Sequence, residues 1–130
     1  MKLVGRSKIA WELIPSWLNS PNTFVKRAGY ATIAALCMTD KQAENDTFER
    51  AFHLALEVAD DDRLYVQKGA SWAFRSIGKR NPDLKAFVVN TLQNLSNPSR
   101  PVDWIIKDVC KELQQPDVRS SNYPRALYVK

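Results

Sequence analysis

Histidine is almost absent from this chain: His53 is the only one among 130 residues. A histidine-rich zinc site and a proton relay between two histidines are therefore excluded. Cysteine is scarce as well. Cys37 and Cys110 lie 73 positions apart and lack the CxxC spacing of a redox or metal motif. We expect both to be small packing residues in a reducing compartment.

Glycine and long apolar runs are also rare. The four glycines exclude a collagen-like chain, and none of them forms a glycine-rich phosphate loop. No apolar run approaches the roughly 20 residues of a membrane span, and the first eight residues lack the apolar core of a signal peptide. We therefore predict a cytoplasmic protein with no membrane contact. The length suits one domain whose core needs neither disulfide nor metal, and we expect no cofactor.

Positive charge is in excess and unevenly distributed. The formal net charge is +5. Residues 1–65 contain 8 lysines and arginines against 9 acidic residues, whereas residues 66–130 contain 11 against 5. A localised basic surface attracts polyanions, of which nucleic acid is the commonest. The alternative is that the charge serves solubility alone.

Apolar residues recur at helical spacing and no strand pattern occurs, so we predict an all-α protein. The breaks predict six helices, over about 7–19, 23–38, 43–59, 63–78, 82–95 and 101–114. We expect Pro15 to kink or shorten the first helix, and Asn81 and Ser99 to cap the fifth and sixth. The domain is predicted to cover residues 1–115, followed by an irregular tail over residues 116–130.

Three aspartates at positions 60–62 precede the fourth predicted helix. We expect one of them to cap that helix and the others to favour its positive N-terminal end. A metal site is the alternative, but no histidine, cysteine or suitably spaced acid accompanies the run.

An internal repeat runs through the sequence. Segments that begin at Phe24, Tyr65 and Trp104 lie 41 and 39 positions apart, and each reads aromatic, β-branched, variable, basic. A period near 40 with two helices per unit is typical of HEAT-like solenoids, so we predict three antiparallel helix pairs in a short superhelix. Stacked units would align the basic positions Arg27, Lys68 and Lys107 as a ladder. We expect the aromatic and β-branched positions to form the shared core.

The fourth helix carries a second basic pattern. Lys68, Trp72, Arg75 and Lys79 fall at i, i+4, i+7 and i+11, on one helix face. Val66, Ala70, Phe74 and Ile77 fall on the other side and are expected to face the core. An outward Trp among cations is a common nucleic-acid contact, because the indole lies against a sugar or base while the cations bind phosphates. The alternative is that Trp72 packs against a neighbouring repeat.

Three blocks of the sequence, residues 24–30, 61–81 and 99–113, resemble the AlkD-like DNA alkylation repair proteins. The resemblance covers roughly residues 6–113. It implies a HEAT-like superhelix whose basic concave surface holds duplex DNA. It also implies a family activity, the excision of cationic N-alkylated purines such as 3-methyladenine and 7-methylguanine by cleavage of the N-glycosidic bond.

The resemblance also assigns roles to individual residues. Trp72 matches a family aromatic that lies along the DNA backbone near the lesion. Arg27 and Arg75 match family cations that hold phosphates, and Lys68 matches a basic position of the same block. Together with the two patterns above, these give a predicted DNA-binding set. Its members are Arg27, Lys68, Trp72, Arg75, Lys79 and Lys107.

One family feature is missing. The family's catalytic carboxylate belongs to a Trp-Asp segment, whereas the four tryptophans here are followed by Glu12, Leu18, Ala73 and Ile105. We therefore expect this chain to be the C-terminal half of such a protein and to be inactive alone, with no catalytic residue assigned. A sugar cation needs a nearby carboxylate for its stabilisation. The weak candidates in this chain are Glu12, Asp61, Asp62, Asp103 and Asp108.

Two other functions stay open at this point. A HEAT-like scaffold that binds proteins and no nucleic acid would have the same helical pattern. The other is an intact glycosylase whose catalytic acid lies elsewhere in the chain. Both are alternatives to the first hypothesis, a DNA-binding part of an alkylation repair protein. The partner expected under the first hypothesis is alkylated duplex DNA. We also expect a homodimer through an exposed N-terminal repeat face, since such a face would be apolar.

Overall fold

The computed structural model describes residues 2–115, with side chains from residue 7 onward. It contains six helices: α1 (Lys2–Leu18), α2 (Thr23–Thr39), α3 (Asn45–Glu57), α4 (Leu64–Arg80), α5 (Pro82–Gln93) and α6 (Arg100–Leu113). No strand occurs within residues 2–115, and the all-α prediction is confirmed. The predicted tail, residues 116–130, lies outside the described residues.

Most helix boundaries agree with the sequence pattern, but α1 differs. It begins at Lys2 instead of near residue 7, and it continues through Pro15 to Leu18. Proline removes one backbone hydrogen bond from the helix. Ile14 and Leu18, on either side of Pro15, are both 1% exposed, so burial holds this turn in place.

The predicted caps of α5 and α6 are confirmed. The Asn81 side chain accepts a hydrogen bond from the Leu84 backbone N–H at 2.9 Å, and the Ser99 hydroxyl accepts one from Val102 at 3.4 Å. Pro82 stands in the first turn of α5, where its missing N–H costs nothing.

The cap predicted for α4 is wrong. Its N-cap is Arg63, whose side chain makes no capping hydrogen bond. Asp61 instead accepts from Lys26 Nζ at 2.9 Å and from Arg63 Nη2 at 2.7 Å. Lys26 is only 7% exposed, and a buried ammonium needs a counter-charge. Among the described residues, no group of His, Cys, Asp and Glu is placed to hold a metal ion.

Two arginines show that α2 and α4 run parallel and side by side. Near their N-terminal ends, Arg63 donates to the Pro21 carbonyl at 2.7 Å. At their C-terminal ends, Arg80 donates to the carbonyls of Cys37 at 2.8 Å and Asp40 at 2.9 Å. The two helices therefore have the same direction and nearly the same register.

The helices form two layers. In one layer α2, α4 and α6 lie in a row, with α4 in the middle, while α1, α3 and α5 form the other layer. This packing is consistent with helical repeats. The core lies where the layers meet, and its largest fully buried side chains are Tyr30, Phe48, Phe52 and Phe74. No helix in the described part of the chain combines the length and apolarity that crossing a bilayer requires.

Candidate nucleic-acid interface

The central helix α4 separates a core face from an outward face, as the sequence pattern predicts. Val66, Ala70, Phe74 and Ile77 are each at most 1% exposed. Trp72 is 44% exposed, and Lys68 is exposed as well. The indole therefore lies on the surface, next to a lysine one turn away, instead of inside the protein.

Arg27 of α2 lies against this face of α4. A Cβ placed on Gly69 would lie 3.4 Å from Arg27 Cγ, so the arginine stem packs on the glycine beside Lys68. Neither Arg27 nor Lys68 has an ion-pair partner within the described residues. The contact at Gly69 thus places Arg27 on the flank of α4, against the residue that follows Lys68.

Arg75 and Lys79 lie on the same helix face but are engaged by α6. Arg75 Nη1 donates to Glu112 Oε1 at 2.9 Å, and Lys79 forms an ion pair with the other carboxylate oxygen of Glu112. Partial burial acts to raise the pKa of Glu112, but hydrogen bonds from Lys79 and Arg75 outweigh it and hold that pKa below its usual value. Glu112 therefore stays charged and offsets one of the two cations.

Lys107 lies on α6 and is also paired. Its ammonium lies 3.0 Å from a carboxylate oxygen of Asp103, one turn earlier on the same helix. The lysine side chain is 76% exposed, and an exposed pair of this kind is weak, at most about 1 kcal/mol. Of the three predicted ladder positions, Arg27 and Lys68 have no ion pair among residues 7–115, and Lys107 is loosely held by Asp103.

The prediction for the repeated aromatic positions is wrong. Phe24, Tyr65 and Trp104 are 76%, 57% and 40% exposed, so they form no part of the core. On a helix, positions i, i+3 and i+7 share one side, and each aromatic lies three residues before a ladder cation. The spacing that turns Lys68 and Trp72 outward therefore also turns Tyr65 outward. We call Phe24, Tyr65 and Trp104 the aromatic row.

The β-branched positions behave as predicted in two of three repeats. Val66 and Ile105 are buried, whereas Val25 is 36% exposed. Val25 lies on α2, the first helix of the layer of α2, α4 and α6, which we call the inner row. Within residues 2–115, no other helix of this row lies beside α2 on its side away from α4.

The carboxylate candidates are distributed over several sites. Asp61 is bound by Arg63 and Lys26, and hydrogen bonds from Arg63, then Lys26, hold the pKa of Asp61 far below its usual range. Asp103 pairs with Lys107. Asp108 accepts a hydrogen bond from the Ser71 hydroxyl, which brings it against α4 beside Trp72. Glu12 and Asp62 are exposed.

Glu112 and the aromatic row are the features that sequence reasoning missed. The row could have been found, because each aromatic precedes a predicted surface cation by three positions in all three repeats. Glu112 could not, because its role depends on how α6 packs against α4. The pairs Ser71–Asp108 and Arg75–Glu112 are both separated by 37 positions, as expected for parallel helices in register.

One comparison with known proteins gives a match. A family model described as "DNA alkylation repair enzyme" matches residues 2–113, which is nearly all of the described chain. No curated protein and no solved structure matches the chain. The family match covers all six helices, including the basic face of α4 and the paired carboxylates of α6. On this match, the chain belongs to the DNA alkylation repair enzyme family.

Proposed function

We propose that the inner row of α2, α4 and α6 binds duplex DNA through Arg27, Lys68, Trp72, Arg75, Lys79 and Lys107. The observation that carries the proposal is the placement of Trp72. The indole is 44% exposed, one helical turn from Lys68, which has no ion-pair partner within residues 7–115, while the opposite face of α4 is fully buried. An exposed indole can lie along a sugar while lysine and arginine neutralise phosphates.

The direct test is the salt dependence of duplex binding. Each neutralised phosphate contributes a slope of about −0.9 to a plot of log affinity against log salt concentration. Lys68→Ala should therefore reduce the slope by about one and weaken binding to all sequences equally. Lys41→Ala is the matched control, because Lys41 is an exposed lysine in the loop between α2 and α3. Binding that does not depend on salt, or no binding at low salt, contradicts the proposal.

Under this proposal, the chain alone does not excise damaged bases from DNA. No tryptophan of the chain is followed by an aspartate, and two of the candidate acids contact neighbouring side chains: Asp103 pairs with Lys107 and Asp108 accepts from Ser71. Incubation of the chain with methylated duplex DNA should therefore release no free 7-methylguanine. Release of the base would establish the intact-glycosylase hypothesis in its place. Capture of a protein partner that resists nuclease treatment, without any DNA binding, would favour the scaffold function.

We also propose that the chain self-associates through α1 and α2. Ile9, Leu13 and Met38 are 58%, 39% and 48% exposed on these two helices. Between α1 and α2 lies an open cavity of about 430 Å³, lined mainly by small side chains of α2. Sedimentation velocity should show a dimer that forms with rising concentration and that Ile9→Glu disrupts. A monomer at all concentrations would contradict self-association and would leave the DNA-binding proposal standing.

A further inference from the structure

The duplex contacts proposed above do not use the aromatic row. Phe24 and Tyr65 lie in the first turn of α2 and α4, and Trp104 lies in the second turn of α6. These helix starts lie along one edge. Arg63, just before α4, donates to Thr23 at the start of α2, and residues 60–62 line a cavity of about 530 Å³ with Arg100 and Pro101 of α6. Three large apolar side chains are therefore exposed along one side of the domain.

Each ring of the aromatic row is followed by a cation on the same side of its helix. Arg27, Lys68 and Lys107 come three positions after Phe24, Tyr65 and Trp104, about 4.5 Å further along the helix axis. The edge thus presents two adjacent lines, one of rings and one of positive charges. Proteins that hold single-stranded nucleic acid combine these two elements, since bases stack on rings while cations follow the backbone.

We infer that this edge binds unpaired nucleotides, with phosphates over Arg27, Lys68 and Lys107 and bases against the aromatic row. The inference deepens the proposed function, on which it rests, because it uses the same cations. In an intact duplex each base is stacked and paired, so its faces are closed to a protein ring. An unpaired base offers a free face, and every base has one, so the contact is independent of sequence.

Nearby acids determine how a strand would lie on this edge. Asp60 and Asp62 are exposed in the loop that precedes α4, on the side of Tyr65 away from Lys68. A backbone placed over the start of α4 would meet these carboxylates and be repelled. A backbone displaced toward the cations avoids them and leaves the bases over the rings.

The test compares one strand in two states. A fluorescein-labelled oligo-dT strand of 12 nucleotides is titrated with the chain alone and as a duplex with its complement. Tyr65→Ala should lower affinity for the single strand between about 5-fold and 100-fold, the range measured for loss of one base–aromatic stack. Duplex affinity should change less than about twofold. Phe24→Ala should act in the same direction, and Leu54→Ala, which removes an exposed apolar side chain from α3, should leave both affinities unchanged.

The outcomes separate this inference from the proposed function. If the duplex binds with steep salt dependence but Tyr65→Ala affects both forms equally or neither, the inference is overturned and duplex binding stands. If only the single strand binds and Tyr65→Ala weakens it, the inference is supported and the duplex proposal fails. If neither form binds, both fail. Circular dichroism of each variant checks that the helices remain, which we expect because Tyr65 is 57% exposed.

Discussion

Arg75 of α4 donates to Glu112 of α6 at 2.9 Å, so a cation of the proposed DNA surface is held by a carboxylate of the same protein. Lys79 shares that carboxylate. The oxygens of Glu112 therefore take positions on Arg75 and Lys79 that phosphate oxygens could otherwise occupy, because both anions accept from arginine in the same geometry.

Glu112→Gln should strengthen duplex binding. The change removes one negative charge from the surface and releases Arg75 and Lys79 for phosphates. The slope of log affinity against log salt should become steeper by about 0.9 for each cation released. Asp46→Asn is the matched control, since it removes the same charge from an exposed pair with Arg50 on α3, away from the inner row. Weaker binding by Glu112→Gln would mean that Glu112 orients Arg75 instead of competing for it.

Asp61→Asn should be strongly destabilising. It leaves the buried Lys26 ammonium with the Val58 carbonyl at 2.7 Å but without a counter-charge. Breaking a buried pair in this way costs about 3–5 kcal/mol of unfolding free energy. Lys26→Met should cost less, because Asp61 keeps its two hydrogen bonds from the Arg63 side chain. Urea denaturation of both variants gives the comparison, and equal losses would show that Arg63 does not compensate for the lost lysine.

Stability should fall in acid because of the same carboxylate. The pKa of Asp61 is far lower in the folded chain than its value near 3.9 in an unfolded one. Its ionised form therefore stabilises the fold fully above about pH 5, and this contribution is lost as the pH falls toward the folded-state pKa. Glu112 acts with the same sign. Thermal melts from pH 7 to pH 3 should show the decline, and a smaller decline is expected for Asp61→Asn.

Gly78→Ala and Gly69→Ala should differ although both glycines lie on α4. A Cβ on Gly78 would lie 2.5 Å from Leu113 Cδ1, and Leu113 is fully buried, so the core must shift at a cost of roughly 1–3 kcal/mol. A Cβ on Gly69 would lie 3.4 Å from Arg27 Cγ, an ordinary contact distance. Gly69→Ala should therefore be neutral or stabilising, since alanine favours the helix. Equal melting temperatures for the two variants would contradict the steric argument.

Local signals in the sequence predicted the helices well. Asn81 and Ser99 cap their helices as predicted because capping depends only on a side chain and the N–H groups two or three residues later. The same reasoning was wrong for residues 60–62. There Asp61 accepts hydrogen bonds from the Arg63 side chain and from the buried Lys26, 35 positions away, instead of capping α4.

Local spacing along the chain also predicted part of the candidate site. The periodicity of α4 alone placed Trp72 and Lys68 outside and Phe74 inside, because helical spacing assigns neighbouring residues to different faces. Applied to Tyr65, the same rule also places it outside, so the error there came from treating every repeated apolar residue as core.

The amino-acid sequence by itself determined the number of helices, their repeat of about 40 residues and the two faces of α4, since all of these follow from spacing along one chain. Only the tertiary structure decided which charges are free. Within the described part of the chain Arg27 and Lys68 form no ion pair, while Arg75 and Lys79 pair with Glu112. A hydrogen bond or ion pair needs atoms within about 3 Å, and that distance between residues 37 positions apart is set only when α6 packs in register against α4.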